Sequence, residues 1–179
     1  MAGKKSETQA TGNTVAENIQ RLRDQQRITY AELSRTLENL GRPIPALGIR
    51  RIESKERRVD VDDLVAIAVA LGSNPAALLS PDVGDASEPV SATGLDVVDA
   101  RSYWQWMTAA MPVTGTPERL DLYVDWAVRN LPSWRLTQLS ESMREMAAIN
   151  RAHEAAEAGD PTELNRLIAA QQNAGHGDD

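Results

Sequence analysis

Five basic side chains, Arg50, Arg51, Lys55, Arg57 and Arg58, fall within the thirteen residues ALGIRRIESKERR at positions 46–58. Guanidinium groups grip guanine O6 and N7 with paired hydrogen bonds, and any cation here can neutralise a phosphate. Ile49 and Ile52 share a helical face at i, i+3, which turns Leu47, Arg50, Arg51 and Ser54 away from it. The same run also reads as a solvated helix face with internal ion pairs to Glu53 and Glu56.

Little else in the chain offers chemistry. HEAAE at 153–157 has a glutamate where a zinc motif needs its second histidine, and the other histidine, His176, lies near the end. There is no cysteine, so thiolate ligands, disulfides and a cysteine nucleophile are excluded. Asp60, Asp62 and Asp63 fit a helix cap and first turn better than an acid pair. The expectation is a non-enzyme with neither metal nor cofactor.

Capping signals define the helices that must carry the basic segment. Thr14 with Glu17, and Thr29 with Glu32, each fit a capping box. Val15, Ile19 and Leu22 give the first helix an apolar stripe; Ala31, Leu33, Leu37 and Leu40 do so for the second, which Gly41 stops. Pro43 and Pro45 interrupt the chain, and a third helix starts near Pro45 or Ala46. A fourth follows Asp60, with Leu64, Ile67, Ala68 and Leu71 inward and Gly72 at its end. Asn74 and Pro75 open a short fifth helix that Pro81 closes.

The expected architecture is all-α in two domains. Residues 1–13 read as a disordered tail, 14–81 as the first domain, 82–94 as a Pro/Gly/Ser linker, 95–173 as a second helical domain and 174–179 as a frayed tail. In the second half, LDVVDARSYWQWMTAAM reads as one helix, and Thr116 and Pro117 start another with Leu120, Tyr123, Val124 and Ala127 inward. A long third pattern turns Leu136, Leu139, Met143, Met146 and Ile149 to one side. Apart from Tyr30, every aromatic residue lies between Tyr103 and Trp134, which predicts an aromatic core there. Trp104 and Trp106, two apart, cannot share a helical face.

Charge separates the halves too. Residues 1–80 hold 12 Lys/Arg against 10 Asp/Glu, net +2, and residues 81–179 hold 7 against 16, net −9, which sum to the overall −7. Phosphate would repel the second half. No apolar run reaches the ~20 residues of a membrane span and no signal sequence is visible, so a cytoplasmic protein is expected.

The segments ENIQRLRDQQRITYAELSRTL, IRRIESKERR and VDVDDLVAIAVALGSNPAALL together resemble the λ-repressor-like, Xre-type helix-turn-helix regulators of bacteria and phages, over residues 14–81. The resemblance implies a five-helix domain whose third helix enters the DNA major groove and regulates transcription, more often as a repressor. It implies base reading by Ala46, Leu47, Arg50 and Arg51, with Pro45 at the helix start. Phosphate contacts are implied for Thr29, Tyr30, Arg42, Lys55, Arg57 and Arg58. It further implies double-stranded DNA as partner and a homodimer formed through residues 95–173; any small-molecule effector is undefined. A non-enzymatic interaction protein, antitoxin-like or polymerase-binding, that uses its acidic half is the rival. The chain departs from the family in its longer GRPIP connection, in Lys55 where glycine is frequent, and in Ile44, which offers the third helix no cap. Gly48 suggests close packing against the second helix.

Overall fold

Apolar side chains recurring at i, i+4 organise the first part of the chain, in a computed structural model that describes residues 8–113 and 119–174, with side chains through residue 169. Helices α1 (Ala10–Gln25), α2 (Tyr30–Asn39), α3 (Ala46–Glu53), α4 (Val61–Ala70) and α5 (Pro75–Leu79) enclose one aliphatic core. Ile19, Leu33, Leu37, Ile44, Ile49, Ile52, Ile67 and Leu78 are all but inaccessible within it. Buried Asn18 donates its amide to Leu78 O at 3.1 Å and Ser80 O at 2.7 Å, which ties α5 to α1.

The first capping box does not form. α1 starts a turn earlier, at Ala10, because Asn13 N–H reaches Gln9 O and the Thr14 hydroxyl donates back to Ala10 O inside the helix. The expected tail at 1–13 therefore contains helix. At α2 the box is complete: Glu32 N–H donates to Thr29 Oγ1 and Thr29 N–H to Glu32 Oε2. Ala31 and Leu40, placed inward from periodicity, are exposed. Asp60 and Asn74 cap α4 and α5 as their positions suggest, and Pro75 is the first residue of α5.

Four turns end alike. After α1, α2, α3 and α4 the chain turns left-handed at Arg27, Gly41, Lys55 and Gly72, with φ of 57°, 77°, 61° and 59°. At each, two successive N–H groups reach back to carbonyls three and five residues earlier, as Lys55 N to Ile52 O and Glu56 N to Arg51 O. Lys55 thus takes the left-handed position despite its Cβ, and α3 stops there rather than running on.

Residues 89–99 depart from the all-α expectation. β1 (Pro89–Ala92) and β2 (Leu95–Asp99) pair antiparallel about Thr93 and Gly94, whose φ is 81°. Val90, Val97 and Val98 favour a pleated strand, and glycine supplies the tight turn. The hairpin lies on α1, where Thr93 N–H donates to Thr11 Oγ1 at 2.8 Å, so part of the segment read as linker is folded against the core. Asp99 then caps α6 (Ala100–Met107), and Tyr103 donates its hydroxyl to Leu79 O at 2.9 Å. The chain divides into compact units at 1–116 and 117–179. The protein is mostly helical with one small hairpin, and among the described residues no helix is long and apolar enough to cross a membrane.

The second unit holds α7 (Leu120–Asn130), α8 (Ser133–Glu157) and α9 (Thr162–Ala174), with α8 packed on α9. Thr116 and Pro117 lie outside the described residues. The expected inward stripes are only partly realised: Ala127 is buried and Tyr123, Leu136, Leu139 and Met143 are half-buried, whereas Leu120, Val124, Met146 and Ile149 are exposed. No single aromatic core forms either. Tyr103 packs edge-on to Trp106 in the first unit, Tyr123 stacks on Trp126 in the second, and Trp104, Trp106 and Trp134 remain substantially exposed.

Candidate nucleic-acid interface

The connection from α2 to α3 fixes how the basic helix is presented. Ile44 is buried beneath it, and Ser34 on α2 donates its hydroxyl to Ile44 O at 2.7 Å. Pro45 is the cap residue of α3 rather than its first turn, and no side chain caps the helix. Gly48 packs near the Ile44 methyl group and the Arg57 guanidinium, not against α2: an added Cβ would lie 3.2 Å from Ile44 Cγ2 and 2.8 Å from Arg57 Nη1.

With Ile49, Ile52 and Glu53 turned into the core, the outward face of α3 carries Leu47, Arg50, Arg51 and Ser54 at i, i+3, i+4, i+7. Leu47 is 58% exposed, and Arg50 and Arg51 are exposed. Neither arginine side chain forms a hydrogen bond or ion pair with the described residues, and Ala46 sits half-buried at the helix start. The four positions assigned to base reading are therefore gathered on one short helix.

The positions assigned to phosphate separate by what they already hold. The Thr29 hydroxyl is engaged with Glu32 in the capping box. Tyr30 donates its hydroxyl to Glu53 Oε2 at 2.8 Å, and burial, followed by this bond, raises its pKa above the ordinary phenol value. That hydroxyl is not available to DNA as expected. Arg42 Nε meets Asp63 Oδ1 at 2.7 Å and its Nη2 meets Asp60 Oδ2 at 2.8 Å, while Arg57 Nη2 reaches Asp63 Oδ2 at 2.7 Å. Asp63 is buried, so removing either arginine to a phosphate would strand part of its charge. Lys55 pairs with Glu17 at 2.6 Å, but both are exposed, and such a pair contributes at most about 1 kcal/mol. Lys55 can exchange Glu17 for phosphate. Arg58 is exposed and has electrostatic company of its own.

A second buried charge pair anchors the far end of α3. Arg23 Nε and Nη2 donate to Glu53 Oε1 and Oε2 at 2.7 and 2.9 Å, Arg23 Nη1 donates to Ile28 O, and the guanidinium lies 4.3 Å from the Tyr30 ring centre. The hydrogen bond to Glu53 raises the Arg23 pKa further above its already high value. Arg23 was not singled out by motif, yet it continues the Val15–Ile19 stripe at i+4, and Asp63 precedes Ile67 and Leu71 in the same way. A charge on an apolar stripe is the signal for such a buried pair.

Acid should loosen this frame. The Asp63 N–H first, and then Arg42, hold the Asp60 carboxyl below its ordinary range, and the Thr29 hydroxyl does the same for Glu32. Depressed folded-state values stabilise the protein above the unfolded pKa, and the benefit is lost as pH falls through the folded one. The thermal midpoint should therefore fall below about pH 4, and Asp60→Asn, which keeps an acceptor at the cap, should flatten part of that fall in melts followed by circular dichroism.

Among the described residues no group of His, Asp and Glu has the arrangement of a metal site. No family model matches the chain, and no curated protein matches it. A solved structure, the hydroxypropylphosphonic acid epoxidase from S. wedmorenis, overlaps 50% of this chain and 42% of its own at 20% identity and a TM-score of 0.37, a likeness too slight to carry an argument.

Proposed function

We propose that the chain is a sequence-specific double-stranded DNA-binding regulator of the helix-turn-helix kind, more readily a repressor, that reads the major groove with α3. The observation that carries this reading is the outward face of α3, where Arg50 and Arg51 stand exposed beside Leu47 and without an ion pair among the described residues, while neighbouring Arg42 and Arg57 are engaged in the fold. Arg50 and Arg51 are the guanine readers, Leu47 and Ala46 meet thymine methyl groups, and Lys55 and Arg58 steady the backbone. The second unit joins two copies so that two α3 helices address the halves of a near-symmetric site. The reading is tested by selecting duplexes from a random pool and titrating salt. The Lys55→Ala variant should weaken every sequence alike and reduce the salt slope by about one. A pool that yields no enriched sequence at any salt concentration would overturn the reading.

A rival reading, an interaction protein acting through its acidic half, draws on exposed Leu120, Val124, Val128 and Trp134 in the second unit. It requires that Arg50 and Arg51 be dispensable.

A further inference from the structure

α4 carries an apolar stripe that the core does not use. Val61, Val65 and Val69, at i, i+4, i+8, are 77%, 52% and 57% exposed, on the side of the helix away from buried Asp63 and Ile67. Three aligned valines facing water on a ten-residue helix are a surface awaiting cover.

The stripe is symmetric about its middle. If a second α4 lies antiparallel across it, Val65 meets Val65, and Val61 meets Val69 in both directions, which is the self-complementarity that a two-fold contact demands. The charges fit the same arrangement. The exposed Asp62 stands at the N-terminal end of α4, where its carboxylate makes a long 3.9 Å contact to Arg42 and no other ion pair among the described residues. At the other end Gln26 donates its amide to Leu71 O at 2.8 Å, and Arg27 is the next residue in the chain. Arg27 is exposed, and its side chain forms no hydrogen bond or ion pair with the described residues. Antiparallel pairing brings Asp62 of each copy toward Arg27 of the other and opposes the two helix dipoles. A parallel arrangement would set Asp62 against Asp62.

We propose that α4 pairs antiparallel with α4 of a second copy of this chain, about a two-fold axis through Val65, with Asp62 and Arg27 closing the two ends. This contact belongs to the first unit and does not depend on the DNA-binding reading. A helix of ten residues is about 15 Å long, too short to bury the roughly 1,200 Å² of a stable interface by itself, so the pairing is weak and reversible in free solution.

Because the chain has no cysteine, disulfide trapping in the full-length protein, without DNA, reads the register directly. Val65→Cys should give a covalent dimer on mild oxidation, about tenfold faster than Gln20→Cys, an exposed control on α1, because a bridge requires Cα atoms within about 7 Å. Val61→Cys alone should bridge poorly, since its two copies would lie about 12 Å apart along the axis, whereas a mixture of Val61→Cys and Val69→Cys should yield the heterodimer. Dimer from Val65→Cys no faster than from Gln20→Cys would overturn the proposal, as would preferential bridging of Val65→Cys to Val124→Cys, which would place α7 of another copy on the stripe. These exposed substitutions leave the core intact, and failure of DNA binding would not alter the outcome.

Discussion

Replacing Arg23 by alanine should remove about 3–5 kcal/mol of stability, a large part of the 5–15 kcal/mol that holds a domain of this size. Both partners are nearly inaccessible, Arg23 at 9% and Glu53 at 8%, and Glu53 accepts from Arg23 through both carboxylate oxygens. Without the guanidinium, the donor left to Glu53 among the described residues is the Tyr30 hydroxyl, at a site 8% exposed. Urea unfolding should show the loss as a lower midpoint at unchanged slope, and the double variant Arg23→Met, Glu53→Leu should recover much of it because no charge is left unpaired. A midpoint for Arg23→Ala within error of the parent would mean that the pair is not buried in solution.

The second large effect concerns DNA. Each well-placed bidentate arginine contributes about 1–3 kcal/mol of discrimination, so Arg50→Ala combined with Arg51→Ala should cost on the order of 100-fold or more on a selected duplex. Affinity for unrelated DNA should fall far less, since phosphate contacts carry that affinity. Both side chains are exposed and form no hydrogen bond or ion pair with the described residues, so the thermal midpoint should barely move. Equal losses on selected and unrelated duplexes would leave these residues as phosphate holders and remove the base-reading assignment.

Much of the first unit was legible because its signals are local. The Thr29–Glu32 box, the Asp60 and Asn74 caps, Gly41, Gly72 and the Ile49–Ile52 pair each act within a turn or two of chain, and each appears where its spacing placed it. What was not legible depends on residues distant in sequence. Arg42 and Arg57 read as phosphate grips until Asp63 is brought between them, and Tyr30 reads as a donor to DNA until Glu53 arrives from α3. The hairpin at 89–99 was hidden by its flanks: Pro89, Ser91 and Gly94 have linker character, and only pairing across Thr93–Gly94, with Val90 buried and β1 against α1, makes them strand and turn. In the second unit, periodicity located the helices but not their depth, because apolar spacing marks a face without saying whether anything covers it.

The two buried carboxylates, one near each end of α3, have a consequence for how the molecule meets polyanions in general. Glu53 and Asp63 pair with Arg23, Arg42 and Arg57, of which only Arg57 belongs to residues 46–58, so four of the five cations of that segment, Arg50, Arg51, Lys55 and Arg58, stay exposed. On a chain with net charge −7, that confines the attraction for polyanions to one short exposed segment, while the rest of the surface repels them.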